Sequence, residues 1–163
     1  MTRFVVILPA EPTSLKVGEE FAADAWPAHI TLVPGFASDA APQEVAAKVE
    51  AALAAHRTPD VVFRAIEPFV ERGSVDVNFV TVSHGLVDIH RSLLSSLKEI
   101  DDLALDTPDH HGDSYVPHAK VVASGPVPVG VTLKPNRVLL AALPTPGGNP
   151  SRRIVWEGPF TAQ

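Results

Sequence analysis

The stretch PAHITLV, residues 27–33, places His29 and Thr31 two positions apart in an otherwise apolar run. A second stretch, VPHAKVV, repeats the arrangement with His118 and Lys120. Successive side chains of a β-strand point to opposite faces, so residues two apart share a face. Each stretch therefore predicts a strand that presents an imidazole and a neighbouring hydroxyl or ammonium on one side. Two such strands lying side by side would bring four polar groups to one surface.

Two imidazoles that face each other across a phosphate can supply both the acid and the base for breaking a P–O bond. One removes a proton from the attacking oxygen and the other protonates the leaving oxygen, near neutral pH. The hydroxyl of Thr31 and the ammonium of Lys120 would bind the other phosphate oxygens and stabilise developing charge. We therefore predict catalytic roles for His29 and His118, with ring nitrogens about 5–8 Å apart across one cleft.

The composition narrows the classes of function. With 163 residues, 45% of them hydrophobic and 20% charged, the chain is predicted to form a single domain over residues 1–163. The absence of cysteine excludes disulfides, zinc–thiolate sites and thiol nucleophiles. No apolar segment is as long as a membrane span and no signal peptide is evident. We therefore expect a cytoplasmic protein that does not contact a membrane. A monomer is expected as well.

The charge balance bears on the partner. The formal net charge is −6, and no run of basic residues is longer than Arg152-Arg153. A protein that binds long duplex nucleic acid usually neutralises several phosphates with one basic face, so this kind of partner is not expected. A small or terminal anionic substrate, bound in a local positive pocket, fits the sequence better.

The hydrophobic periodicity predicts strands and helices around the two motifs. Strands are expected at 3–8, 28–33, 60–66, 75–82, 116–122, 137–142 and 153–157, and helices at 42–56 and 86–100. Pro34-Gly35 is expected to end the first motif strand, and a small helix to lie around residues 19–25. Residues 106–114 and 144–151 are predicted loops, the first of them at the lip of a cleft. The pattern indicates an α+β chain with two lobes.

At these residues the chain resembles the two-histidine (2H) phosphoesterase superfamily, which includes 2′-5′ RNA ligase-like proteins and cyclic nucleotide phosphodiesterases. The paired motifs are HIT at 29–31 and HAK at 118–120, and the resemblance extends from the opening RFVVILP to the closing IVWEGPF. It implies a bilobal α+β fold of two pseudo-symmetric antiparallel lobes, with helices packed outside and a central cleft. It also implies metal-independent phosphodiesterase chemistry without a cofactor, on 2′,3′-cyclic phosphates or 2′-5′-linked RNA ends. The implied partner is a small nucleotide or an RNA terminus with a cyclic phosphate.

The second motif departs from the family pattern, because Lys120 stands where threonine or serine is expected. Lysine binds phosphate as a point charge, and its charge is expected to lower the pKa of His118. That effect favours His118 as the base and His29 as the acid. The alternative function is a nucleotide- or RNA-end-binding module on the same fold, with weak or lost catalysis.

Other residues near the motifs are weaker candidates. Trp26, Phe36 and Tyr115 flank the motifs, and Tyr115 is the preferred residue for stacking a base while Phe36 is assigned to the core. A metal site in DHHGD (109–113) is disfavoured, because adjacent histidines in a loop point in different directions. Three further histidines are interpreted as structural: His56, His84 and His90.

Overall fold

The computed structural model describes residues 1–81, 84–122, 126–145, 147–148 and 150–162. The strands in these ranges are β1 (Thr2–Pro9), β2 (Glu20–Phe21), β3 (His29–Ser38), β4 (Phe63–Phe69), β5 (Val75–Val80), β6 (Ala104–Leu105), β7 (His118–Lys120), β8 (Val138–Leu143) and β9 (Arg152–Gly158). The helices in the same ranges are α1 (Pro42–Leu53) and α2 (His84–Leu97). Neither of these two helices has the length and apolar character needed to cross a membrane.

The described strands form one antiparallel sheet. Their order is β2-β9-β8-β1-β3-β7-β5-β4, and β6 pairs separately with β3. The two motif strands β3 and β7 are therefore neighbours near the middle of the sheet, where Ile30 pairs with Ala119. The prediction of an α+β fold with antiparallel strands and helices on the outside is confirmed.

Strand β1 is apolar throughout because both of its faces are covered. Phe4, Val6 and Leu8 pack into the core that the two helices share with the sheet. Val5 and Ile7 point to the opposite face, where Leu15, Phe21 and Trp26 lie over them. A strand buried on both sides shows a continuous hydrophobic run instead of alternation.

The two helices lie on one face of the sheet. Pro42 occupies the first turn of α1 and Glu44 follows it, as the sequence predicts for a helix start. Both helices bury an apolar stripe in the same core as Ile30 and Ala119. Neither of these two helices therefore covers the middle of the other face, around β3 and β7.

The prediction that Pro34-Gly35 ends the first motif strand is wrong, since β3 continues to Ser38. Two irregularities in its pairing with β1 absorb extra residues, one of them between the pairs Phe4–Phe36 and Val6–Val33. A bulge of this kind accommodates a proline inside a strand, because the residue without an N–H is left outside the ladder.

Gly35 also has a packing role in this bulge. A Cβ added at this position would lie 2.4 Å from Oδ2 of Asp106, which binds Arg3 in an ion pair of 2.6 Å. The Asp106 N–H donates to the carbonyl of Gly35 at 2.9 Å. The glycine therefore permits a close approach between strand and loop and does not mark the end of the strand.

Several smaller expectations differ from the structure. The predicted strand 60–66 lies at Phe63–Phe69, and the second motif strand is limited to His118–Lys120. The expected helix around residues 19–25 is replaced by β2 and a short 3-10 turn. The last residue of the predicted strand 75–82, Val82, lies outside the described residues.

Candidate active site

The pairing of β3 with β7 brings the four polar residues of the motifs together. Because Ile30 pairs with Ala119 in an antiparallel register, His29 lies opposite Lys120 and Thr31 lies opposite His118. Ile30 and Ala119 are completely buried on the helix side of the sheet. The four polar side chains therefore project together from the uncovered face.

These side chains line two cavities that together form the cleft. The first, here called the His29 cavity, has a volume of about 480 Å³ and includes all four motif residues. Its other lining residues are Ala23, Asp24, Trp26, Val121, Val122 and Arg152. The second, here called the Arg72 cavity, has a volume of about 310 Å³ and shares Thr31, His118 and Lys120 with the first. His118 and its neighbours thus lie where the two cavities meet.

Both histidines are oriented by the same local hydrogen bond. Nδ1 of His29 lies 2.7 Å from the carbonyl oxygen of Pro27, and Nδ1 of His118 lies 2.7 Å from the carbonyl oxygen of Val116. A carbonyl only accepts hydrogen bonds, so each Nδ1 must carry the proton. In the neutral ring, Nε2 then has the lone pair and is available for proton transfer in the cavity.

The surroundings of both imidazoles lower their pKa and so favour the neutral form. Burial lowers the pKa of His29, the hydrogen bond to Pro27 opposes this effect, and the nearby His118 lowers the pKa further. Burial also lowers the pKa of His118, and the charges of Arg72 and His110 lower it further. The expected lowering at His118 is therefore present, but its electrostatic causes are Arg72 and His110 and not Lys120.

Arg72 is a cleft residue that the sequence did not single out. It lies in a short 3-10 turn at Val70–Arg72, between β4 and β5, and lines the Arg72 cavity with His110. Its distance along the sequence from either motif does not predict this position, because the pairing of β5 with β7 places it in the cleft. An arginine in a tight hairpin, followed by the glycine of ERGS, is the sole signal in the sequence.

Tyr115 has a different position from the one predicted. Its side chain is only 8% exposed, and its ring stacks on His90 with centroids 4.0 Å apart. Its hydroxyl donates a hydrogen bond of 2.8 Å to the carbonyl oxygen of Thr31. A ring covered in this way has no free face for a base, so the prediction of base stacking is corrected to support of β3.

Trp26 is the flanking aromatic residue that lines the cleft. It is half-buried, its ring lies 5.0 Å from that of His29, and it forms part of the wall of the His29 cavity. Phe36 is completely buried and stacks on Phe4, as expected for a core residue. The cleft therefore has an aromatic surface beside the first motif.

The DHHGD loop places its two histidines in different surroundings. His110 lines the Arg72 cavity, which agrees with the predicted position at the lip of the cleft. His111 is buried without a hydrogen bond at either ring nitrogen, and burial is the main cause that lowers its pKa to about 4. Within the described ranges, no three histidine or acidic side chains are grouped as a metal site would require.

The sequence identifies the family. The profile of the 2′-5′ RNA ligase superfamily matches residues 10–124, which include both histidine motifs. The chain belongs to the 2′-5′ RNA ligase superfamily. The predicted resemblance to two-histidine phosphoesterases is thereby confirmed. A search of curated proteins finds no match to the sequence of this superfamily member.

Solved structures share the fold of this superfamily member at low sequence identity. LigT of E. coli in complex with 3′-AMP is 16% identical, with 99% of each chain covered and a TM-score of 0.58. Its complex with ATP is 17% identical, with 99% of each chain covered and a TM-score of 0.57. A further structure of a phosphoesterase is 16% identical, covers 99% of this chain and 100% of its own, and has a TM-score of 0.58.

Proposed function

We propose that this protein is a metal-independent phosphodiesterase that acts on 2′,3′-cyclic phosphates or 2′-5′-linked RNA ends. The observation that carries the proposal is the matched orientation of His29 and His118. Each ring is held through Nδ1 by a backbone carbonyl, and both line one cavity. A phosphate between them would have a base on one side and an acid on the other.

The proposed mechanism needs one neutral and one protonated imidazole. His118 lies near two other basic groups, Arg72 and His110, that disfavour its protonation. We therefore assign His118 as the base that activates the attacking oxygen and His29 as the acid that protonates the leaving oxygen. Thr31 and Lys120 would hold the non-bridging oxygens and stabilise the charge of the transition state.

The nucleoside would lie in the His29 cavity. Trp26 offers an aromatic surface there, and aromatic side chains stack on bases of any sequence. E. coli LigT has been crystallised with 3′-AMP, NADP⁺ and ATP, so a protein of the same fold accommodates small nucleotides. Trp26 and the nucleotide complexes of LigT therefore support a nucleotide substrate without reference to the geometry of the two histidines.

The direct test is turnover of a panel of substrates. It comprises 2′,3′-cyclic mononucleotides, oligoribonucleotides with a terminal cyclic phosphate, and 2′-5′ dinucleotides, each assayed in excess chelator with the phosphate isomer of the product identified. We expect hydrolysis of at least one class at an unchanged rate in chelator. Ligand affinity without any product would instead favour the binding module, and loss of activity in chelator would contradict metal independence.

The pH dependence of kcat/KM is expected to be bell-shaped, with its maximum below about pH 6.5. The pKa values of His29 and His118 are both lowered, and the active form has one proton on the pair. The rate falls at higher pH as the acid loses its proton, and at lower pH as the base gains one. A maximum well above pH 7 in the free enzyme would contradict this assignment.

Lys120→Thr restores the family pattern. It tests whether the lysine binds the phosphate or changes the pKa of His118. We expect KM to rise by about three- to tenfold, because one charge-assisted contact to phosphate is lost. The limbs of the pH profile should stay in place, since the charges that act on His118 are those of Arg72 and His110. An unchanged KM would show that Lys120 does not contact the phosphate.

A further inference from the structure

The second cavity of the cleft has an unusual distribution of charge for a protein with a formal net charge of −6. The ionisable residues that line the Arg72 cavity are all basic: Arg72, His110, His118 and Lys120. Its other lining residues are uncharged: Val5, Thr31, Pro34, Gly35, Phe69, Val75 and Val77. A cavity of this composition is suited to an anionic group.

Arg72 is a permanently charged residue of this cavity. Its guanidinium lies over the ring of Phe69 at 4.8 Å, and Nη2 donates a long hydrogen bond of 3.4 Å to the carbonyl of Ser114. Among the residues that the structure describes, no carboxylate forms an ion pair with it. Within the described ranges most of its N–H donors therefore have no partner, and their planar arrangement matches the oxygens of a phosphate.

Arg72 lies one aromatic ring away from the proposed catalytic histidine. Phe69 contacts His118 edge-on, with ring centroids 5.1 Å apart, and contacts Arg72 through its face. The hairpin is held by a hydrogen bond of 3.0 Å from the Ser74 N–H to the Phe69 carbonyl, and Gly73 and Ser74 both have positive φ angles. Arg72 thus lies near His118, with the ring of Phe69 between the two side chains.

We propose that Arg72, with His110 beside it, binds a second phosphate of the substrate. The inference rests on the proposed function for the position of the first phosphate, between His29 and His118. The substrate class is an RNA end whose terminal nucleotide carries both the cyclic phosphate and the next phosphate of the chain. Arg72 therefore determines specificity for an RNA terminus over a free cyclic mononucleotide.

The test compares two ligands that do not turn over, adenosine 3′-monophosphate and adenosine 3′,5′-bisphosphate, by calorimetry. The wild-type protein is expected to bind the bisphosphate about tenfold more tightly, as one charge-assisted contact to phosphate allows. Arg72→Gln should reduce this preference to within about twofold, and Arg72→Lys should retain part of it. The matched control is Arg64→Gln, because Arg64 lies on the same hairpin, pairs with Glu67 and stacks on Phe79.

Three outcomes would overturn the inference: no preference in the wild type, a preference that survives Arg72→Gln, or an equal loss in Arg64→Gln. Thermal unfolding of each variant establishes that it is folded. The result is independent of turnover. A preference that depends on Arg72, in a protein that hydrolyses none of the substrates in the panel, would uphold the subsite and refute the proposed function. Hydrolysis of a substrate in the panel, without a preference for the bisphosphate, would support the proposed function and refute the subsite.

Discussion

His29→Ala and His118→Ala are each expected to lower kcat/KM on a 2′,3′-cyclic nucleotide by about 10²- to 10⁴-fold, the usual contribution of a general acid or base. Both rings line the cavity, and both are held through Nδ1 so that Nε2 is available. The kcat/KM of the double variant should be only slightly lower than that of the less active single variant, because the two groups act in one step. Initial rates with purified variants provide the measurement.

The matched control is His84→Ala. His84 is an exposed residue at the start of α2 and does not line the cleft, so its loss should leave the rate within about twofold of wild type. If either cleft variant retains the activity of this control, paired-histidine catalysis is refuted for this protein.

A substrate with a p-nitrophenolate leaving group shows which histidine is the acid and which is the base. This leaving group departs without protonation, so the variant that lacks the acid should recover most of its rate on such a phosphodiester. The variant that lacks the base should not recover. We expect recovery in His29→Ala and none in His118→Ala, and the opposite pattern would exchange the two assignments.

His90→Phe is expected to lower the free energy of unfolding by about 2–4 kcal/mol. His90 is completely buried, and its Nδ1 donates to the carbonyl of Leu32 at 2.7 Å. Its Nε2 accepts a hydrogen bond of 2.9 Å from the Gly112 N–H. Phenylalanine has a similar shape and retains a ring against Tyr115, but it removes the partner of the buried Leu32 carbonyl and of the part-buried Gly112 N–H. Urea denaturation would measure the loss as a lower midpoint with an unchanged slope.

The control for this substitution is His56→Phe. His56 is half-buried, and its Nε2 lies at hydrogen-bond distance, 2.7 Å, from the Ser92 hydroxyl. Removing that contact near the surface should cost about 1 kcal/mol or less. Equal stability of His90→Phe and wild type would mean that the His90 contacts are not needed to join α2, β3 and the loop at Gly112.

Much of the site was predictable from the sequence because its signals are local. The spacing in HIT and HAK places each histidine and its neighbour on one face of a strand, whatever lies around them. The apolar stripes and the proline start of α1 similarly depend on a few consecutive residues. Local alternation and helical periodicity therefore determined the two α-helices, the longer strands and the four motif residues, but not β2, where a helix was expected.

The tertiary structure alone decided what reaches the cleft besides the motifs. Arg72 lies in the cleft because β5 pairs with β7, a strand distant in sequence. Tyr115 lies outside the cleft because its ring stacks on His90. Pro34 and Gly35 remain within β3 because β1 and Asp106 accommodate a bulge there. None of these contacts has a local signature, since each depends on how the sheet brings remote segments together. The sequence by itself determined the catalytic candidates, whereas packing determined their electrostatic environment.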